Sequence, residues 1–234
     1  MDKLLGRHLR GLDGFQLLSE EVIEQLAQEA RAAEYSDGDR IWNTGDEAAY
    51  FTFISRGLVQ IVKANARGED CSLGIFGTGE GIGNLAALQG THYPAAAVVI
   101  SERCTIRRIP ASVVIATMNR VAGLQLSINR ILMAKPRALV TKIDMLSAGP
   151  VSARLALLFQ HLLERFGDEG QGGGKFIPIS LTRGTIARLV GAREETVIRV
   201  LSDWRQRGWM STTEHGFEVQ RPEMLEAAIT SVAP

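Results

Sequence analysis

Glu195 and Arg199 stand four positions apart in the stretch GAREETVIRVLSDW, residues 191–204. On a helix that spacing puts a carboxylate and a guanidinium one turn apart on the same face. Two kinds of chemistry fit such a pair. One is an i, i+4 surface ion pair, with the acid N-terminal to the base as favoured. The other is recognition of duplex DNA, because in the major groove cytosine N4 donates to a carboxylate while guanine O6 and N7 accept from a bidentate arginine. The sequence offers no nucleophile–base spacing, no metal-ligand set and no phosphate-cradling P-loop. The chemistry is therefore read as recognition, and the chain is not read as an enzyme.

Holding that pair outward requires a helix packed from behind. Thr182 can cap a first helix whose apolar residues Ile186, Leu189 and Val190 fall three and four apart, and Gly191 allows a sharp turn into a second helix. There Val197, Val200, Leu201 and Trp204 share one face, which leaves Glu195, Ile198, Arg199 and Ser202 on the other. Arg183, Arg188, Arg193, Arg199, Arg205 and Arg207 outnumber Glu194, Glu195 and Asp203 across this helix–turn–helix, a local excess hidden by a whole-chain balance of 26 basic and 26 acidic residues. Thr182, Arg183, Arg193, Glu194, Ser202 and Arg205 flank the pair as candidates for phosphate or neighbouring contacts. The helix dipole tolerates both glutamates at the N-terminal end. GWMSTTEHGFEVQRPEMLEAA, which follows, reads as a hairpin with EHG at its tip and a terminal helix. Such a wing can rest on the sugar–phosphate backbone.

The remaining sequence has the texture of a second, larger domain. With 45% hydrophobic and 22% charged residues in 234, the composition is that of a globular chain of one large or two modest domains. The longest apolar run, Ala95 to Ile100, is far below the ~18 residues that span a bilayer, and the start lacks the apolar core of an export signal. The two cysteines, Cys71 and Cys104, fit a reducing cytoplasm as free thiols and are too few for an iron–sulfur cluster. Ser19 caps a short helix, and from Glu34 to Ile109 brief β-branched and aromatic runs alternate with turn signals, which predicts a compact antiparallel roll. Pro110 opens a long apolar stretch to Ala148. Leu124, Ile128, Ile131 or Leu132, Leu139, Ile143 and Leu146 form a near-heptad stripe there, predicting a homodimer seam in competition with packing onto the roll. Pro136 predicts a kink or a break. SAGPVS, residues 147–152, is the linker, GDEGQGGGK, residues 167–175, a flexible loop, and FIPISL, residues 176–181, a strand.

The fold class is accordingly α+β: residues 1–109 an N-terminal jelly-roll-like β-roll with flanking helices, 110–148 a long dimerisation helix region, 149–234 a winged helix–turn–helix. In that arrangement the sequence resembles the CRP/FNR family of bacterial transcription regulators. YSDGDRIWNTGDEAAYFTFISRGLVQIV and GTGEGIGNLAALQG are similar to its cyclic-nucleotide-binding-like roll, and LTRGTIARLVGAREETVIRVLSDWRQRGWM to its reader. The resemblance implies that Glu195 and Arg199 read bases in a pseudo-palindromic site with a TGA-like core in each half, with Ile198 against a thymine methyl. It implies double-stranded DNA, a second copy, RNA polymerase and an unidentified small-molecule effector as partners, with no membrane. Glu194, Arg193 and Gly184 depart from the family pattern. In the effector cassette, Gly83, Asn84, Leu85, Tyr93, Pro94 and Ala95 are the pocket candidates. Asn84 and Tyr93 stand where cyclic-AMP binders carry a glutamate and an arginine, so cyclic AMP in its usual pose lacks its phosphate partner. His8, His92, Cys71 and Cys104 leave haem open without a spacing that calls for it. The competing class is a ligand-binding module acting through protein partners rather than DNA.

Overall fold

The computed structural model describes residues 9, 15, 18–65, 68, 70–170 and 173–230. They fall into two compact units, divided between Ala138 and Leu139. No helix among the described residues is long and apolar enough to cross a membrane.

The first unit is an antiparallel roll. Helix α1 (Glu20–Glu29) is capped by Ser19, whose hydroxyl accepts from the Val22 amide, and it buries Ile23 and Leu26. Strands β1 (Arg31–Ser36), β8 (Arg103–Pro110), β3 (Tyr50–Arg56) and β6 (Gly81–Ile82) form one sheet in that order. Strands β2 (Arg40–Trp42), β7 (Ala96–Val99), β4 (Val59–Ala64) and β5 (Asp70–Phe76) form the other. Phe51, Phe53, Ile54, Val59, Val99 and Ile106 are buried in their shared core, with Phe15 packed edge-on against Phe53. Helix α2 (Asn84–Gln89) sits between β6 and β7, entered through Gly83, which lies in the left-handed region at φ 67°.

The stretch after Pro110 is two helices: α3 (Ala111–Met118) and α4 (Ala122–Ser147). The break falls at residues 119–121, and α4 stays helical through Pro136, where a break was the alternative to a kink. The predicted stripe divides between its two readings, the roll taking its first half. Leu124, Ile128 and Ile131 are buried in the roll's own core, and Leu132 packs against it. Ile143 and Leu146 are exposed, and the side chain of Leu139 lies outside the described residues. The exposed apolar positions on this helix are Leu126, Met133, Val140, Ile143 and Leu146. Helical rotation explains the shift, because the stripe nearest to heptad spacing is also the one the roll requires.

The division between the two compact units falls inside α4, and Met145 near the end of that helix is buried. Helix α5 (Val151–Phe166) follows the Gly149–Pro150 linker and buries Leu155, Leu158, Phe159 and Leu162. The predicted flexible loop contains β9 (Asp168–Glu169), paired with β10 (Lys175–Ile177), and its Gln171 and Gly172 lie outside the described residues. The predicted strand stops at Ile177 because Pro178 has no amide to donate to a ladder. Helices α6 (Arg183–Val190) and α7 (Glu194–Gln206) precede the hairpin β11 (Met210–Thr213) and β12 (Gly216–Val219), and α8 (Pro222–Thr230) ends the unit. Phe159 sits at the centre, edge-on to Phe217 with centroids 5.0 Å apart and to Trp204 at 6.3 Å.

Candidate nucleic-acid interface

Helix α7 is held from behind and bare in front. Val197, Leu201 and Trp204 are buried and Val200 is half-buried, whereas Glu195, Ile198, Arg199 and Ser202 are exposed. Ile198 is 48% exposed, a cost to a branched apolar side chain that a partner surface would recover. The helix starts without a side-chain cap, since Arg193 occupies the N-cap and makes no capping bond. Arg193, Glu194 and Arg205 are exposed as well.

The turn before α7 is fixed on both sides. The Thr182 hydroxyl accepts from the Thr185 amide at 3.1 Å and caps α6. At the other end Gly191 adopts φ 61°, a left-handed conformation that favours glycine. From α5, Arg154 Nη1 donates to the Val190 and Gly191 carbonyls at 2.8 and 3.0 Å, closing groups that a helix C-terminus leaves open. Leu146 lies against the same turn: a methyl group built on Gly191 would be 3.2 Å from its Cδ2. Arg154 was not singled out in the sequence, and Leu146 was read there only as part of the stripe on the long helix. Arg154 carries a weak signal, a cation flanked by the buried Ala153 and Leu155.

The hairpin stands beside α7. Arg183, half-buried at the start of α6, donates through Nη2 to Thr212 Oγ1 at 2.7 Å, and burial lowers its pKa from the ordinary value. Between α7 and the hairpin lies a shallow concavity of about 170 Å³, with Arg183, Ser202, Arg205, Ser211 and Thr212 around Leu201 and Met210. Cations and hydroxyls on that rim suit a phosphate oxygen. Ser211 and Thr212 were missed because a hairpin's periodicity does not say which of its faces meets a partner. Asp203 is engaged within the protein, accepting from Arg207 Nε at 2.9 Å.

Residues 153–228 match the family described as Crp-like helix-turn-helix domain, and residues 32–121 the cyclic nucleotide-binding domain. The chain belongs to the CRP/FNR family. A CRP-like cAMP-activated global transcriptional regulator of Mycobacterium tuberculosis is 27% identical over 90% of this chain and 91% of its own length. The fumarate and nitrate reduction regulatory protein of Escherichia coli K12 is 23% identical over 89% and 82%. In fold the chain is similar to FixK2 from Bradyrhizobium japonicum, with a TM-score of 0.75 at 18% identity over 85% of this chain and 96% of that one. As a CRP/FNR-type regulator it carries a DNA-binding helix–turn–helix and a roll of the effector-binding kind.

Within this CRP/FNR roll the six cassette candidates differ in burial. Asn84, Tyr93 and Ala95 are buried, Gly83 is half-buried, and Leu85 and Pro94 are exposed. The Tyr93 ring stacks on Trp42 with centroids 4.0 Å apart, and a methyl group built on Gly83 would lie 2.5 Å from Tyr93 Cε1. Trp42 Nε1 donates to the Ala95 carbonyl at 2.9 Å, and Asn84 Oδ1 accepts from the Thr52 amide at 2.8 Å. Burial pushes the Tyr93 phenol above its ordinary pKa, partly offset by Thr52 and Arg108. Nearby, Arg108 Nη2 donates to Tyr35 Oη at 2.5 Å and to the Ile41 carbonyl at 3.2 Å. Cys71 is half-buried and Cys104 buried, both as free thiols, while His92 is exposed and His8 lies outside the described residues. Among the described residues no three His, Cys, Asp or Glu side chains gather as a metal site.

Proposed function

We propose that this regulator binds a pseudo-palindromic DNA site as a homodimer and reads each half-site with Glu195, Ile198 and Arg199. The observation that carries the reading is the division of α7: its apolar residues are used up on the core, and an acid, a base and an apolar side chain stand free on the opposite face. Those are the groups that the cytosine amino group, the guanine O6/N7 edge and the thymine methyl select. Arg183, Arg193, Arg205, Thr182 and Ser202 supply backbone contacts around them, joined by Ser211 and Thr212 of the hairpin.

The second copy packs along α4. Leu126, Met133 and Val140 are seven positions apart and Ile143 three further, which is coiled-coil spacing, and all four are exposed. Two-fold pairing sets the two α7 helices to meet the groove one DNA turn apart, about 34 Å. An effector in the roll acts by shifting how the long helices pair, with Gly149 and Pro150 as the hinge before the reader. The Trp42–Tyr93 stack over Gly83 supports an effector other than cyclic AMP in its usual pose, as does the loss of the cassette arginine. RNA polymerase is the further partner expected of a regulator of this kind.

Arg199→Ala tests the assignment. Selection from randomised duplexes followed by titration gives a loss of about 1–3 kcal/mol on the preferred site, with relaxed choice at one base pair per half-site. Arg193→Ala weakens preferred and random duplexes alike. Equal losses on both duplexes for Arg199→Ala refute base reading.

A further inference from the structure

We propose that Gly184 sets the base preference of this reader by leaving room for the Glu194 carboxylate to fold back over α6, which withholds a second acid from the groove. The inference rests on the base-reading assignment of α7 and concerns what lies beside it. A methyl group built on Gly184 would lie 3.3 Å from Glu194 Oε2, 3.9 Å from its Cδ and 3.6 Å from Arg188 Nη1. Glu194, the first residue of α7, thus has its carboxylate against the start of α6, in space that a side chain at 184 would occupy.

The arrangement around that carboxylate is specific. Arg188 Nη2 donates to Thr185 Oγ1 at 3.2 Å, and the Thr185 and Thr182 hydroxyls are 2.9 Å apart, so the guanidinium is tied to the capped first turn of α6. Arg188 Nη1 and the Glu194 carboxylate thus both border the Gly184 position. Glycine inside a helix weakens it relative to alanine, and here its missing Cβ has a use. A methyl group at 184 asks the end of the glutamate side chain to give by only a few tenths of an ångström, whereas a longer side chain there takes the place of the carboxylate. Released, Glu194 turns toward the groove, where a carboxylate at the N-terminal end of a recognition helix accepts from an exposed amino group of cytosine. The two adjacent glutamates therefore have separate duties: Glu195 reads and Glu194 is stowed.

Selection from randomised duplexes with the full-length protein tests this in four forms: wild type, Glu194→Gln, Gly184→Leu and the double variant. Glu194→Gln leaves the relative preference at every base pair unchanged and raises affinity for all duplexes by a similar factor, since a charge near the phosphates is gone. Gly184→Leu, with the fold shown intact by circular dichroism, shifts choice toward cytosine next to the core by on the order of tenfold. The double variant returns to the wild-type preference. A changed base preference in Glu194→Gln alone overturns the proposal, as does a folded Gly184→Leu protein that chooses as the wild type does. A wild type that selects no sequence sinks the base-reading assignment as well, whereas a selective wild type with an indifferent Gly184→Leu sinks this inference alone.

Discussion

The two units treat their polar side chains differently. In the roll several are turned inward, some of them engaged by the chain itself, as Trp42 is on the Ala95 carbonyl, Asn84 Oδ1 on the Thr52 amide and Arg108 on Tyr35, while Gln60 Nε2 and Asn84 Nδ2 are buried without a hydrogen-bond partner among the described residues. In the reader, Glu195, Arg199, Ser202 and Arg205 stand in solvent, and the buried layer is almost wholly apolar. A buried polar group that finds its partner within the fold has its chemistry spent on structure. An exposed one keeps its hydrogen-bonding capacity for a partner. The reader's function is therefore legible from single residues, while the roll's depends on which internal contacts a ligand could replace.

The sharpest way to break the comparison is to remove the reader's core. Phe159→Ala deletes the ring that meets both Trp204 and Phe217, and is expected to cost about 3–5 kcal/mol. Thermal unfolding followed by tryptophan fluorescence should show that loss together with loss of DNA binding, and an unchanged melting profile would show that the aromatic cluster does not hold α7. Gly83→Ala probes the roll in the same spirit. Its positive φ and its approach to Tyr93 predict a loss of about 2–3 kcal/mol, with the ratio of specific to random DNA affinity preserved. A collapse of that ratio at full folding would tie the cassette to the reader more tightly than the comparison allows.

The smallest effect comes from pH. Burial, with a lesser push from Glu34, raises the Cys104 thiol to about 11 from an ordinary value near 9. The unfolded chain then releases this proton before the folded one does, so the stabilising contribution is complete below about pH 9 and is lost as pH rises toward 11. The expected slope is up to about 1.4 kcal/mol per pH unit in that window, and Cys104→Ala should flatten it in urea titrations. Cys71, half-buried, should react with a thiol reagent in the native protein well before Cys104 does.

Much of this was open to inspection in the chain itself. Thr182 caps α6, Gly191 makes the turn, and Val197, Leu201 and Trp204 pack inward, each because a local rule of capping, backbone freedom or helical period acts within a few residues. The antiparallel roll was equally visible in its alternation and turns. The helix after Pro110 was less so: Leu124, Ile128 and Ile131 carry the same period whether they face a partner or the roll, and periodicity names a face without naming its neighbour. Only the tertiary structure decided that Leu126, Met133 and Val140 are exposed along with Ile143 and Leu146, that Tyr93 covers Gly83, and that Glu194 lies over Gly184. Those outcomes depend on contacts between residues distant in sequence or across a turn, where packing space rather than local propensity selects the arrangement.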